Sequence, residues 1–155
     1  MIPAFIARPP AEVEAYLHRH IPIASAMGVR VKTCDGAGVV LTAPLAANVN
    51  HRATVFGGSA SAVAILAAWT WLHFALRDAG LACRVVIQRN EMDYQLPIDG
   101  DFAAYCSGLE KSALEKLLRS QRRYGKGRVA LAAELRLSDR RVATFGGDYV
   151  AVRLD

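Results

Sequence analysis

The chain has 155 residues, of which 53% are hydrophobic and 21% charged, with a formal net charge of +5. Length and apolar content are those of a single folded domain with a real core, read here as residues 1–155, and they argue against a disordered chain. The positive surplus favours anionic partners such as phosphates without specifying one. Cys34, Cys83 and Cys106 are scattered, odd in number and without a CxxC pair, so neither a disulfide framework nor a metal site is expected. Reduced thiols and an N-terminus without a basic start and apolar run point to a cytoplasmic protein.

In chain order, Pro9-Pro10 followed by AEVEAYLHRH predicts a helix with acids near its start and Val13, Tyr16 and Leu17 as its apolar stripe, ended by Pro22. Met27, Val29, Val31 and Thr33 alternate with their neighbours and predict a strand. DGAG at 35–38 is a turn, and VVLTAPL returns as the second strand. After the loop NVNHRAT, residues 56–79 form the longest apolar stretch, without formal charge between Arg52 and Arg77. Residues 59–76 are about long enough to cross a bilayer. They are dominated by alanine, however, and interrupted by Ser59, Ser61, Thr70 and His73. The surrounding strands need a helix to cover their apolar faces, so a buried central helix is expected, and no membrane.

Gly80 ends that helix. CRVVIQRNEMDYQL and DFAAYCSGL read as strands, KSALEKLLRSQRRY as a basic helix stopped by Gly125, and residues 129–137 as a strictly alternating strand. Ser138-Asp139-Arg140 turns the chain into a last strand, RVATFGGDYVAVRL, whose Gly146-Gly147 marks an expected bulge. Short turns between consecutive strands imply antiparallel pairing, hence an α+β fold with one apolar helix on one sheet.

The candidate site is the entry to the apolar helix, NVNHRATVFGG. A helix start has unpaired backbone N–H groups at the positive end of its dipole. Gly57 and Gly58 place no side chain over them, so the Gly58 N–H suits an oxyanion, and the Asn50 amide suits orienting water or a carbonyl. The bland alternative is that the glycines permit helix–sheet contact and Asn50 closes a turn. Glu91 and Asp93 share strand parity and are the candidate general bases, with an edge carboxylate paired to Arg84 or Arg89 as the alternative. His51 is a lesser base candidate, and His18 and His20 read as surface residues. Arg122 and Arg123 stand out of the basic run as candidate phosphate contacts, with a solvated helix face as the alternative. No histidine–carboxylate spacing suggests a metal, no P-loop or Gly-x-Ser-x-Gly occurs, and Tyr124 alone among the basic residues does not make a nucleic-acid surface.

Asn48, Asn50, Thr54, Phe56, Gly57 and Gly58 form an N-x-N-x3-T-x-F-G-G pattern. With the element order, it resembles acyl-coenzyme A thioesterases of the hotdog fold, in the subgroup sometimes fused to an acetyltransferase-like domain. The resemblance covers residues 10–152. It implies a curved antiparallel sheet around one long helix and thioester hydrolysis without metal or cofactor beyond the substrate's own coenzyme A (or carrier protein). It also implies a homodimer or tetramer with sites at the subunit boundary, and substrate contacts from Asn48, His51, Thr54, Phe56 and Gly57. The chain departs from the family pattern at Ala53, where a glycine is usual, at Phe56, where a histidine is usual, and at Ile65 and Leu66, where the helix often carries a carboxylate. That last departure leaves open a non-catalytic acyl-thioester binding domain.

Overall fold

A computed structural model describes residues 2–155. Helix α1 (Pro10–His20) and the short α2 (Pro22–Ala26) precede strands β1 (Arg30–Asp35) and β2 (Gly38–Ala43). The long helix α3 (Gly57–Asp78) leads to β3 (Cys83–Tyr94) and β4 (Phe102–Ser107). Helix α4 (Lys111–Tyr124), β5 (Lys126–Leu137) and β6 (Arg140–Arg153) complete the chain. The strands form one antiparallel, curved sheet in the order β1-β2-β4-β5-β6-β3, with α3 at its centre. This is the hotdog arrangement.

Two local expectations change. Pro22 ends α1 but also opens α2, where its missing N–H and fixed φ suit a first helical turn. Met27 therefore caps a helix, and the strand begins only at Arg30. A register shift between Val31 and Thr33 then breaks the predicted alternation, so that Val31 and Cys34 are buried while Thr33 is exposed. Nor is there a bulge at Gly146-Gly147: the β3–β6 register runs unbroken from Arg89↔Asp148 to Tyr94↔Ala143, and the shift lies between Ile87 and Arg89. Gly147 instead makes room for rings. A Cβ there would stand 2.7 Å from a Phe145 ring carbon and 3.2 Å from one of Tyr149.

The sheet buries one face of each strand on α3, including Val39, Leu41, Ala104, Leu131, Leu135, Phe145 and Tyr149. Each large side chain so removed from water contributes about 1.5–3 kcal/mol. Three side-chain bonds lock the helix to the sheet and its loops: Tyr149 Oη to the Ile65 carbonyl (2.7 Å), Trp69 Nε1 to that of Val85 (3.0 Å) and Trp71 Nε1 to that of Asp35 (3.1 Å). By length and composition α3 could cross a membrane, yet 67% of its apolar window is buried inside the fold. It ends as expected at Gly80, whose φ of 75° belongs to a Schellman turn closed by Leu81 N–H to the Leu76 carbonyl (3.0 Å).

The sheet's two edges differ. On the β1 side, the Val31 N–H donates to the Glu14 carboxylate (3.0 Å) and the Arg8 N–H to the Cys34 carbonyl (3.2 Å). The N-terminal segment is itself tied to α3: Asp78 pairs with Arg8 and accepts the Ile6 N–H (2.8 Å). Burial alone would raise this carboxyl's pKa, but those partners outweigh it and hold it below the usual range. The β3 edge carries no further strand among the described residues.

His73 lies in the C-terminal half of α3, stacked on Trp69 (centroids 4.7 Å apart) and near Tyr16 (5.2 Å). Burial, aided by Arg77, Arg8 and His20, pushes its pKa down from 6.5 to about 4. Between those values the unfolded chain takes up a proton that the folded one refuses, so stability falls as the pH drops from 6.5 towards 4. Scanning calorimetry across this window should show a loss on the order of 1–3 kcal/mol that is smaller in His73→Phe. Equal acid limbs would mean that the imidazole is solvated.

Candidate active site

The loop between β2 and α3 is held by its asparagines. Asn48 is buried, and its Nδ2 donates to the carbonyls of Met27 and Pro44 (both 2.8 Å), while its Oδ1 has no partner among the described residues. Its backbone carbonyl accepts the Phe56 N–H (2.7 Å), next to a bridge between Val49 and Val55. Asn50 closes the turn between these bridged residues. Its Oδ1 accepts the N–H groups of Arg52 (2.8 Å) and Thr54 (3.1 Å), and its Nδ2 donates to Thr54 Oγ1 (2.8 Å). One N–H of the amide is left over, so Asn50 chiefly shapes the loop, with Thr54 as its partner. Ala53 stands at φ 61°, in the left-handed region. Glycine, the residue expected there from the family resemblance, suits this angle better, because alanine brings a Cβ clash that glycine avoids.

Phe56 is the N-cap of α3, with extended backbone angles and no capping side chain. The first helical bond is Ala60 N–H to the Phe56 carbonyl (3.1 Å). The N–H groups of Gly57, Gly58 and Ser59 thus have no acceptor among the described residues, the ordinary state of a first turn. Gly58 is exposed, and so is the Phe56 ring, which lies across it: a Cβ on Gly58 would be 2.4 Å from a ring carbon. The second glycine therefore accommodates this ring as much as it frees an approach. Tyr94 stands on the other side and donates its hydroxyl to the Gly57 carbonyl (2.8 Å). Beside the helix start lies a cleft of about 300 Å³ walled by Thr54, Val55, Ala60, Tyr94, Leu96 and Ile98. Chemically this is a surface-accessible array of amide donors with an apolar cleft alongside, suited to an anionic or polarised oxygen joined to an apolar group.

The remaining sequence candidates lie elsewhere in the chain. Glu91 and Asp93 do share a face, opposite Gly146 and Thr144, but it is the outer face of the sheet. Their neighbours Met92 and Tyr94, paired with Phe145 and Ala143, take the face that carries α3. Both carboxylates are exposed beside a shallow depression of about 620 Å³ rather than in an apolar tunnel. Among the described residues neither pairs with Arg84 or Arg89. His51 is exposed at the loop tip. His18, read as a surface residue, is half-buried and bonded to the Val29 carbonyl (2.7 Å), whereas His20 is exposed. Arg122 and Arg123 are exposed in the last turn of α4, next to Gln121, whose Nε2 reaches Cys83 Sγ (2.7 Å). Cys83 begins the 12-residue β3 and Tyr94 ends it. Within one chain the arginines are thus about a strand's length, roughly 36 Å, from the helix start. Ile65 is half-buried and Leu66 buried, at the positions where the resemblance led a carboxylate to be expected. No cluster of metal-ligating side chains occurs among the described residues. Tyr94 escaped the sequence reading, although strand parity opposite to Asp93 was the available signal.

The family model described as "Putative thioesterase (yiiD_Cterm)" matches residues 10–153. Among solved structures, a protein of unknown function from Chlorobaculum tepidum TLS is 27% identical, with a TM-score of 0.86 over 94% of both chains. A "putative thioesterase" from Shewanella oneidensis is 22% identical, with a TM-score of 0.80 over 92% of this chain and 96% of that one. A "probable thioesterase" from Pseudomonas aeruginosa is 17% identical, with a TM-score of 0.81 over 97% of this chain and 100% of that one.

Two substitutions test the loop. Ala53→Gly should raise stability by about 0.5–1 kcal/mol in denaturant titration, because the left-handed angle ceases to be strained. No gain would mean that the angle relaxes in solution. Asn50→Ala should cost on the order of 1–3 kcal/mol, and Thr54→Val a smaller part of it. A neutral Asn50→Ala would remove this side chain from the role of loop clamp.

Proposed function

This chain belongs to the thioesterase family whose model it matches, and from that premise we propose that it hydrolyses an acyl thioester carried on coenzyme A or on an acyl-carrier protein. The supporting observation is the exposed, unpartnered amide array at the start of α3, beside an apolar cleft. The Gly58 N–H donates to the thioester carbonyl oxygen. As water adds, negative charge grows on that oxygen at the positive end of the helix dipole, where a fixed donor acts most strongly. Asn48, Asn50 and Thr54 hold the loop that presents Gly58, and Phe56 and Tyr94 flank it. The net charge of +5 favours a phosphate-bearing carrier.

We further propose that a second copy completes the site. The β1 edge is occupied by Glu14 and Arg8 while β3 is long and open, so twofold pairing along β3 extends the sheet. Glu91 and Asp93 are on β3 itself but on the outer face of the sheet, so such pairing leaves them across the sheet from the helix starts, and the water-activating base comes from another group of the second copy. Paired strands run in opposite directions, which moves one copy's Arg122 and Arg123 towards the other copy's helix start. A second reading, an acyl-thioester sensor without turnover, is favoured by one feature: Ile65 and Leu66 stand where the family's helix carboxylate would be.

Thiol release from a panel of acyl-coenzyme A esters separates the two. Saturable release supports hydrolysis; thermal stabilisation without release supports sensing. Two variants then isolate the donor. Gly58→Ala and Gly58→Pro both displace the Phe56 ring, but only proline lacks the N–H. Proline should lower kcat/KM by about 10²–10³ relative to alanine, and equal rates would remove the Gly58 amide from the mechanism.

A further inference from the structure

Three amides at the start of α3, those of Gly57, Gly58 and Ser59, lack an acceptor among the described residues, and helix geometry alone does not rank them. The groups behind them do. The Tyr94 hydroxyl donates to the Gly57 carbonyl at 2.8 Å. That carbonyl and the Gly58 N–H belong to one peptide unit, and a trans peptide points its two polar groups in opposite directions. Tyr94 therefore holds the acceptor end of the unit whose donor end is free. Among the described residues no side chain donates to the Phe56 or Gly58 carbonyl, which stand behind the Gly57 and Ser59 amides. The unit so held is also the one with glycine on both sides, where no Cβ restrains rotation. Tyr94 is the last residue of β3 and pairs with Ala143 of β6, so its hydroxyl is delivered from the sheet rather than from a loop.

We infer that Tyr94 is a positioning residue for the oxyanion donor: its hydroxyl fixes the plane of the Gly57–Gly58 peptide and, by drawing charge through the carbonyl, makes the Gly58 N–H a stronger donor. This rests on the thioester reading above. Without that bond a Gly-Gly unit turns more freely about its flanking bonds, and a donor that must reorient as charge develops contributes less than a fixed one. A hydrogen bond on one end of a peptide also polarises the other end, and such cooperation strengthens a bond by about 10–30%. An oxyanion donor brings about 10²–10³ in rate, so that fraction of its free energy corresponds to a factor of about 2–8. The gain grows with the charge on the acyl oxygen, so it belongs to kcat rather than KM. The phenol keeps its proton throughout and makes no bond to the substrate. Its ring separately walls the cleft beside Ala60, and a phenylalanine ring keeps that wall, which makes the two roles separable.

Tyr94→Phe in the whole protein tests this with and without turnover. In isotopically labelled free protein, the Gly57 carbonyl carbon and the Gly58 amide nitrogen should both move upfield, as a peptide does when its carbonyl loses a donor. Unmoved resonances would mean that the bond is absent in solution and overturn the inference. On the acyl-coenzyme A ester of the panel above that releases thiol fastest, Tyr94→Phe should lower kcat about 2–8-fold with KM unchanged. In a Gly58→Pro background, where the N–H is gone, the same exchange should have no further effect. A raised KM with kcat kept, or an equal loss in both backgrounds, would leave Tyr94 as a wall of the cleft and nothing more. Gly58→Pro against Gly58→Ala decides the parent reading separately. If those two differ while Tyr94→Phe turns over normally, only this inference falls; if they are equal, the Gly58 donor fails and this role with it. Should no ester release thiol, the protein is saturated with a non-hydrolysable ketone analogue of hexanoyl-coenzyme A. The downfield move of the Gly58 proton should then be smaller in Tyr94→Phe than in the wild type, and equal moves overturn the inference.

Discussion

The structure depends on burying one helix that has no charged face. From Ala53 to Leu76 the chain offers no formal charge, so water cannot stabilise any side of α3, and its apolar residues must find protein contacts nearly all round. Alanine lets the sheet approach closely: strands β2 to β6 pack along the helix, and β1 meets it through the Trp71–Asp35 bond. The indole and phenol groups of Trp69, Trp71 and Tyr149 spend their polar atoms on neighbouring carbonyls rather than leaving them unpaired in the core. Curvature of the sheet around α3 follows from that demand.

The same demand fixes where chemistry can occur. A wrapped helix hides its sides, but its first turn must emerge, and the amides there have no intrahelical acceptors. Phe56 is pinned through its N–H to the Asn48 carbonyl, and the Asn50–Thr54 turn sets the direction from which the chain enters. The loop's polar side chains therefore work mainly on the loop, and in the proposed reaction the feature that meets the substrate is backbone. That division explains how a site can stand beside Phe56 rather than histidine without losing its donor array.

Much of this was legible in the residues. Period-two alternation in residues 129–137, the punctuation by Gly80 and Gly125, and the unbroken apolar stretch after Gly57-Gly58 carried the order of elements. Features with no local signature were not legible. The bulges after Val31 and Ile87 depend on how neighbouring strands register, and Gly147 is explained only by the rings around it. Ala53 shows the converse: its departure from the family pattern was visible, but its meaning needed the φ of 61°. Parity correctly placed Glu91 and Asp93 together, yet could not tell which face of the sheet they would take.

The central claim is that a backbone amide at the start of α3 meets the acyl oxygen, and amide NMR observes that contact directly. On titrating isotopically labelled protein with a non-hydrolysable ketone analogue of hexanoyl-coenzyme A, the Gly58 proton resonance should move downfield, with the largest shift in the chain centred on residues 57–59. Shifts concentrated elsewhere at saturation, with Gly57, Gly58 and Ser59 unmoved, would contradict it.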